Sequence, residues 1–145
     1  MELAAGAAYA GARSLVTMKQ VGLNVASDPL MSLEYVGVKG GMVILVADDP
    51  GPISSQTEQD TRHFSKFSKL PCFDPSSAQE AYEMIQEAFE YSEKYKTPVF
   101  LRPTTRVCHA MQPSISRMNP NTTTTNRKAL SRIPSAGSFS RNCLL

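Results

Sequence analysis

Six consecutive apolar residues, Met42-Val43-Ile44-Leu45-Val46-Ala47, constrain this chain more than any other feature. A strand with one wet face alternates apolar and polar residues, because successive side chains point to opposite sides of the sheet. A run without alternation needs apolar cover on both faces, which parallel sheets with crossover helices supply. Gly40-Gly41 precedes the run and Asp48-Asp49-Pro50-Gly51 follows it, so its length is that of a strand and not of a buried helix.

The flanking segments provide the helices such a sheet requires. Residues 2–12 are rich in Ala, the best helix former, with Gly6 and Gly11 between. Ser14-Leu15-Val16-Thr17-Met18 reads as a strand, with polar Lys19-Gln20 and Gly22 opening a loop. Asp28-Pro29 has the form of an N-cap and a first-turn proline, and predicts a helix through Tyr35 that stops near Gly37. Two capping boxes, Ser55-x-x-Glu58 and Ser77-x-x-Glu80, predict two more helices, the first running to about Ser68. Leu70-Pro71-Cys72-Phe73 is a brief extended segment between them. In the second of these helices Ala78, Ala81, Tyr82, Ile85, Ala88 and Phe89 share one face. Thr97-Pro98-Val99-Phe100-Leu101 is the last strand. The fold class is α/β, a parallel sheet flanked by helices.

Charge divides the chain in two. Residues 1–106 hold 10 Lys and Arg against 13 Asp and Glu, whereas residues 107–145 hold 5 basic residues and no acid. That second stretch also carries four consecutive threonines, Thr122 to Thr125, and no sustained hydrophobic period, so a disordered basic tail is expected over residues 110–145. Its charges are scattered and Phe139 is its one aromatic residue, which gives no nucleic-acid signature. No apolar run approaches the length of a membrane span, and Met1-Glu2-Leu3-Ala4-Ala5 lacks the basic start of a secretory signal. Cys72, Cys108 and Cys143 are too widely spaced for a metal or redox pair, and their odd number argues against a disulfide framework; a cytoplasmic setting is expected. His63 and His109 have no ligand-spaced partner, so no metal site is expected, and His63 reads as a solvated position among Arg62 and Lys66.

Two loops occupy the positions where open α/β sheets bind ligands, outside the carboxyl ends of their strands. The first is residues 19–24, with Gly22, Leu23 and Asn24; the second is residues 48–56, with Asp49, Ser54, Ser55 and Gln56, and Gln59 just beyond. Both also contain the residues that ordinary turns and caps use. Gly37-Val38-Lys39-Gly40-Gly41 is glycine-rich, but it precedes a strand, whereas a phosphate cradle follows one and opens a helix.

Several longer runs carry a family resemblance. They are Ala7 through Met31, Gly37-Val38-Lys39-Gly40-Gly41, Ala47-Asp48-Asp49-Pro50-Gly51, Ser54-Ser55-Gln56-x-Glu58-Gln59-Asp60, and Leu101-Arg102-Pro103-Thr104-Thr105-Arg106-Val107. In order and without large gaps over residues 2 to about 109, the chain resembles the α-subunit family of indolepyruvate ferredoxin oxidoreductases. The resemblance implies a thiamine-diphosphate enzyme that decarboxylates an aryl pyruvate oxidatively to an acyl-CoA. Electrons would pass through [4Fe-4S] clusters to ferredoxin. It implies the pyrimidine-binding domain of such an enzyme over residues 1–109. Implied partners are a β subunit, ferredoxin, coenzyme A and the aryl pyruvate, with no nucleic acid and no membrane. Gly22, Leu23 and Asn24 are expected on the cofactor side, and Asp49, Ser54, Ser55, Gln56 and Gln59 toward the substrate.

The departures from the family shape these expectations. Its activating glutamate sits in a short Asn-Glu-Lys-type motif ahead of the first helix, whereas Glu2 aligns with a later helical glutamate. The activating residue is therefore expected upstream of Met1, and no catalytic residue is expected within the chain. The Gly-Asp-Gly element that holds Mg2+ and the diphosphate is absent, as are ferredoxin-like cysteine clusters, so the chain alone is expected to bind no cofactor and to be inactive. The family's opening strand and Gly-Thr-Pro loop are missing too, which predicts an unpaired apolar sheet edge. Family members continue past Thr-Thr-Arg-Val with an acidic segment and then a stretch resembling EGFIKDxxRWVIFPKL. Codons for Lys128–Leu145 exist that, read one nucleotide earlier, spell EGFIKDSQRWVIFPKLL, so a shifted reading frame is the expectation for the tail. Two alternatives stand beside this: a non-catalytic α/β binding or interaction module, and another thiamine-diphosphate 2-oxoacid oxidoreductase.

Overall fold

The computed structural model describes residues 1–51, 53, 55–111 and 113. The chain divides into two units, Met1–Ser114 and Ile115–Leu145, and the expectations for the tail beyond residue 113 lie outside the described residues.

The apolar hexapeptide is β2 (Met42–Ala47), and its neighbours are β1 (Ser14–Lys19) on one side and β4 (Val99–Leu101) on the other; β3 (Cys72–Phe73) follows β4. All three pairings are parallel, with Val16 opposite Ile44 and Ile44 opposite Phe100. Strand β2 is interior, as its lack of alternation requires. Met42, Ile44 and Val46 enter the larger core cluster with Ala8, Leu30, Leu33 and Phe100. Val43 enters a second cluster with Ala88, Val99 and Leu101, and Leu45 packs against it.

Helices α1 (Glu2–Tyr9), α2 (Gln20–Val36) and α3 (Thr61–Ser68) cover the first face, and α4 (Ala78–Tyr95) covers the second. The helix predicted from Asp28 in fact starts at Gln20, and Pro29 lies within it. Leu23, Ala26, Leu30 and Leu33 form one buried stripe at spacings of three and four, and burial of that stripe outweighs the missing proline N–H. Pro29 withdraws the bond due to the Val25 carbonyl, and Val25 stands on the solvent side.

The box at Ser77 caps α4 as expected: Ser77 Oγ accepts from Glu80 N at 3.2 Å, while the Glu80 carboxylate accepts from Ser76 N and Oγ. The box at Ser55 does not open α3. Glu58 Oε1 accepts from Gly51 N at 3.0 Å, closing the loop after β2, and α3 begins later with Asp60 accepting from Arg62 N. Gly37-Val38-Lys39-Gly40-Gly41 is a close-packed connection. Gly37 has φ 76°, and a Cβ on Gly40 would lie 2.3 Å from the Ala12 carbonyl oxygen. A last short helix, α5 (Thr105–His109), leaves the sheet after β4. Strand β1 is an edge of the sheet among the described residues, with Leu15 on it 48% exposed and Val25 beside it 85% exposed.

Candidate functional site

Every strand is parallel, so all four deliver their following residues to one edge. Lys19 ends β1, Asp48 and Asp49 follow β2, Asp74 follows β3, and Arg102 follows β4. Asp48 and Asp49 are 0% exposed and Arg102 is 5% exposed. Charges taken so far from water must be paired and hydrogen-bonded, and these are.

Arg102 Nε donates to Asp48 Oδ2, and its NH1 reaches both Asp74 oxygens at 3.1 and 3.2 Å. Asp48 also accepts from Thr61 N at 2.9 Å and from Thr61 Oγ1, so a carboxylate on β2's end holds the first residue of α3. Asp49 accepts from Thr105 Oγ1 at 2.8 Å and pairs with Lys19 at 3.6 Å. Asp60 pairs with Arg62 at 2.6 Å and lies 3.6 Å from Arg102. The hydrogen bond from the Arg62 side chain, helped by its backbone N–H and by the Arg102 charge, holds the Asp60 carboxyl down at about 2. For Arg102, burial opposes the charge, but the hydrogen bonds and charges of Asp48 and Asp74 outweigh it and raise the pKa.

Beside this network, α2 and α3 form a cleft of about 280 Å³, lined by Leu23, Asn24, Gln59, Asp60, Thr61, His63 and Phe64. Leu23 and Phe64 give it apolar walls, and Asn24 and Gln59 bring amides that donate and accept. Apolar walls with a few convergent polar groups are the usual make-up of a small-molecule site.

The structure brings together Leu23, Asn24 and Gln59, which had been expected on two different ligands. They do not lie on a loop: Gly22, Leu23 and Asn24 belong to the first turns of α2, which corrects the expectation for residues 19–24. Gly22 faces a separate groove of about 320 Å³ with Val16, Met18 and Val25. Asp49 is buried in its ion pair, away from the cleft. Gln56 is exposed, and Ser54 lies outside the described residues. Ser55 is half-buried, and its Oγ has no hydrogen-bond partner among the described residues.

Sequence reasoning passed over four residues that the site uses. Gln20 is 0% exposed, and its Nε2 donates to the Thr57 carbonyl at 3.1 Å, tying α2 to the segment that carries Gln59. Asp48, Thr61 and Arg102 were within quoted runs or a noted helix, but their partners are 13 and 54 residues apart, beyond any local pattern. His63, expected at a solvated position, is exposed at the mouth of the cleft. Among the described residues no three of His, Cys, Asp and Glu are disposed to hold a metal ion, and no helix is long and apolar enough to cross a membrane.

Comparison with known proteins adds a family. The pyruvate flavodoxin/ferredoxin oxidoreductase family of thiamine-diphosphate-binding domains matches residues 1–133. The chain is 55% identical over 109 residues to indolepyruvate oxidoreductase subunit IorA of Methanothermobacter marburgensis, covering 75% of this chain and 18% of that protein. It is 56% identical over 109 residues to the IorA subunit of Methanothermobacter thermautotrophicus, with the same two shares. It is 55% identical over 108 residues to that of Pyrococcus abyssi, covering 74% of this chain and 17% of the relative. The chain thus spans less than a fifth of the length of these curated relatives.

Proposed function

The chain belongs to the pyruvate flavodoxin/ferredoxin oxidoreductase family of thiamine-diphosphate-binding domains, and from that premise we propose that it contributes the ring-binding cleft of an indolepyruvate oxidoreductase. The observation that carries this reading is the meeting of Leu23, Asn24, Gln59 and Phe64 in one cleft beside the carboxyl edge of a parallel sheet.

The described residues fit part of thiamine diphosphate. A flat aminopyrimidine suits walls of Leu23 and Phe64 with Asn24 and Gln59 at the rim, whereas no carboxylate set for a diphosphate-bound Mg2+ is present among the described residues. Thiamine diphosphate, when bound, supplies the carbanion chemistry that decarboxylates a 2-oxoacid. The chain's own task is to bind and orient. Asn24 and Gln59 offer hydrogen bonds to ring nitrogens or to an indole N–H. Asp48 and Arg102 fix α3 against the sheet, and Gln20 fixes the segment before it. The remaining machinery, including Mg2+, the iron–sulfur clusters, coenzyme A, ferredoxin and a partner subunit, is assigned to the rest of a longer assembly. Alone, the chain orients a ring without an electron acceptor and gives no turnover.

The test is a segment exchange. Residues 1–109 replace their counterparts in the Methanothermobacter marburgensis subunit, which is purified with its partner subunit and assayed for indolepyruvate-dependent reduction of ferredoxin with coenzyme A. Retained turnover supports the reading. An assembled, soluble hybrid without turnover rejects it.

A further inference from the structure

We propose that Arg102 is the positioning residue of the cleft between α2 and α3, setting the place of Gln59, Asp60 and Thr61 through carboxylates that it gathers from three segments. This rests on the reading of that cleft as ligand-binding.

Arg102 does not line the cleft. It stands one residue past β4, and its guanidinium meets Asp48 from the end of β2, Asp74 from the end of β3, and Asp60 from the cap of α3. Two of the cleft's lining residues are tied to it within one further contact. Asp60 lies 3.6 Å from its Nε, and Thr61 donates through N at 2.9 Å to the same Asp48 oxygen that Arg102 holds. Gln59 immediately precedes Asp60 in the chain, so a shift of Asp60 carries Gln59 with it.

The chemistry explains why an arginine stands here. A planar guanidinium reaches several carboxylates along different edges at once, which a lysine's single ammonium cannot. Without it, Asp48 is a fully buried carboxylate left, among the described residues, with the two Thr61 donors. Such a group draws in water to replace the lost partner, which loosens Thr61 and the start of α3. Asp74 also loses its closest cation, since Arg62 stands 3.9 Å from it.

Displacing a cleft wall weakens ground state and transition state together, so the kinetic signature is a raised KM with kcat little changed. A purely structural role behaves differently. It lowers the fraction of folded enzyme, which cuts the apparent kcat and leaves KM where it was.

Two measurements test the proposal, using Arg102→Lys and Arg102→Met. In the segment-exchange hybrid, KM for thiamine diphosphate rises about tenfold for Arg102→Met, the scale of a lost charge-assisted hydrogen bond, and by less for Arg102→Lys. In the full chain, amide exchange accelerates at residues 59–64 while β2 stays protected. If Arg102→Met fails to fold, Arg102→Lys carries both comparisons. Wild-type KM and wild-type exchange at residues 59–64 overturn the proposal, as does a loss of kcat at constant KM. Should the unmutated hybrid show no turnover, the proposed function falls and the exchange rates alone decide on Arg102: local acceleration supports positioning, and unchanged rates refute it.

Discussion

Ser92 joins three elements through one hydroxyl. Its Oγ accepts from Met42 N at 2.9 Å and donates to the Thr97 carbonyl at 2.7 Å, so α4 is fastened to the starts of β2 and β4 together. Ser92 and Met42 are each 0% exposed. In Ser92→Ala the Met42 N–H has no replacement partner and no room for water, a loss of about 1–3 kcal/mol for an unmet buried donor. The half-buried Thr97 carbonyl adds about 0.5–1.5 kcal/mol, and alanine's better helix propensity returns at most about 0.5 kcal/mol. The net is a loss of about 2–3 kcal/mol. At roughly 4–8 °C per kcal/mol for a domain of this size, Tm falls by about 8–24 °C. Urea unfolding of the full chain, followed by circular dichroism, reads the change as a lower midpoint at constant slope. Gln86→Ala, on the exposed side of the same helix, serves as control and stays within about 0.5 kcal/mol. A Ser92→Ala change as small as that control refutes the reasoning.

Four further outcomes are expected. Gly40→Ala drives a Cβ to 2.3 Å from the Ala12 oxygen, which backbone must yield to, and unfolding midpoints drop by the equivalent of about 2 kcal/mol or more. Asp60, held at about 2 against an ordinary 3.8, contributes stability that is present above pH 3.8 and is lost as pH falls through about 2; Asp60→Asn removes that limb from an acid titration of the unfolding midpoint. Leu15→Lys, on the exposed face of edge strand β1, lowers concentration-dependent self-association in sedimentation velocity without lowering the melting temperature. For the tail, sequencing the coding strand tests the shifted frame: reading Lys128–Leu145 one nucleotide earlier returns EGFIKDSQRWVIFPKLL, and any other peptide refutes it.

What the sequence disclosed depended on how far apart the deciding residues lie. The lack of alternation in Met42–Ala47 placed β2 inside a parallel sheet, because burial on two faces is written in six adjacent side chains. The box at Ser77 opened α4 because its partners are three and four residues away. The same kind of signal misled at Asp28-Pro29, where a strong local cap competes with a longer stripe. Leu23, Ala26, Leu30 and Leu33 bury more apolar area than one missing hydrogen bond costs, so the helix runs through its proline. At Ser55 the local box lost to a distant partner. Asp48 takes the Thr61 N–H across 13 residues, and α3 starts where that carboxylate can reach it.

The candidate site was legible as a sheet edge and not as a set of atoms. Strand order and parallel direction oblige Asp48, Asp74 and Arg102 to meet, yet they come from positions that no sequence window contains together. Charge counting hides them as well. Four carboxylates, Asp48, Asp49, Asp60 and Asp74, meet three cations, Lys19, Arg62 and Arg102, leaving an excess of one negative charge within a segment whose total was only −3. The net charge of the whole chain, +2, arises because the stretch after residue 106 adds five positive charges to that −3. Electrostatics at this edge therefore follow from topology, through which carboxylates the parallel strands bring to one arginine. A variant that kept every charge but exchanged the positions of Asp74 and Arg102 would keep the composition and lose the site.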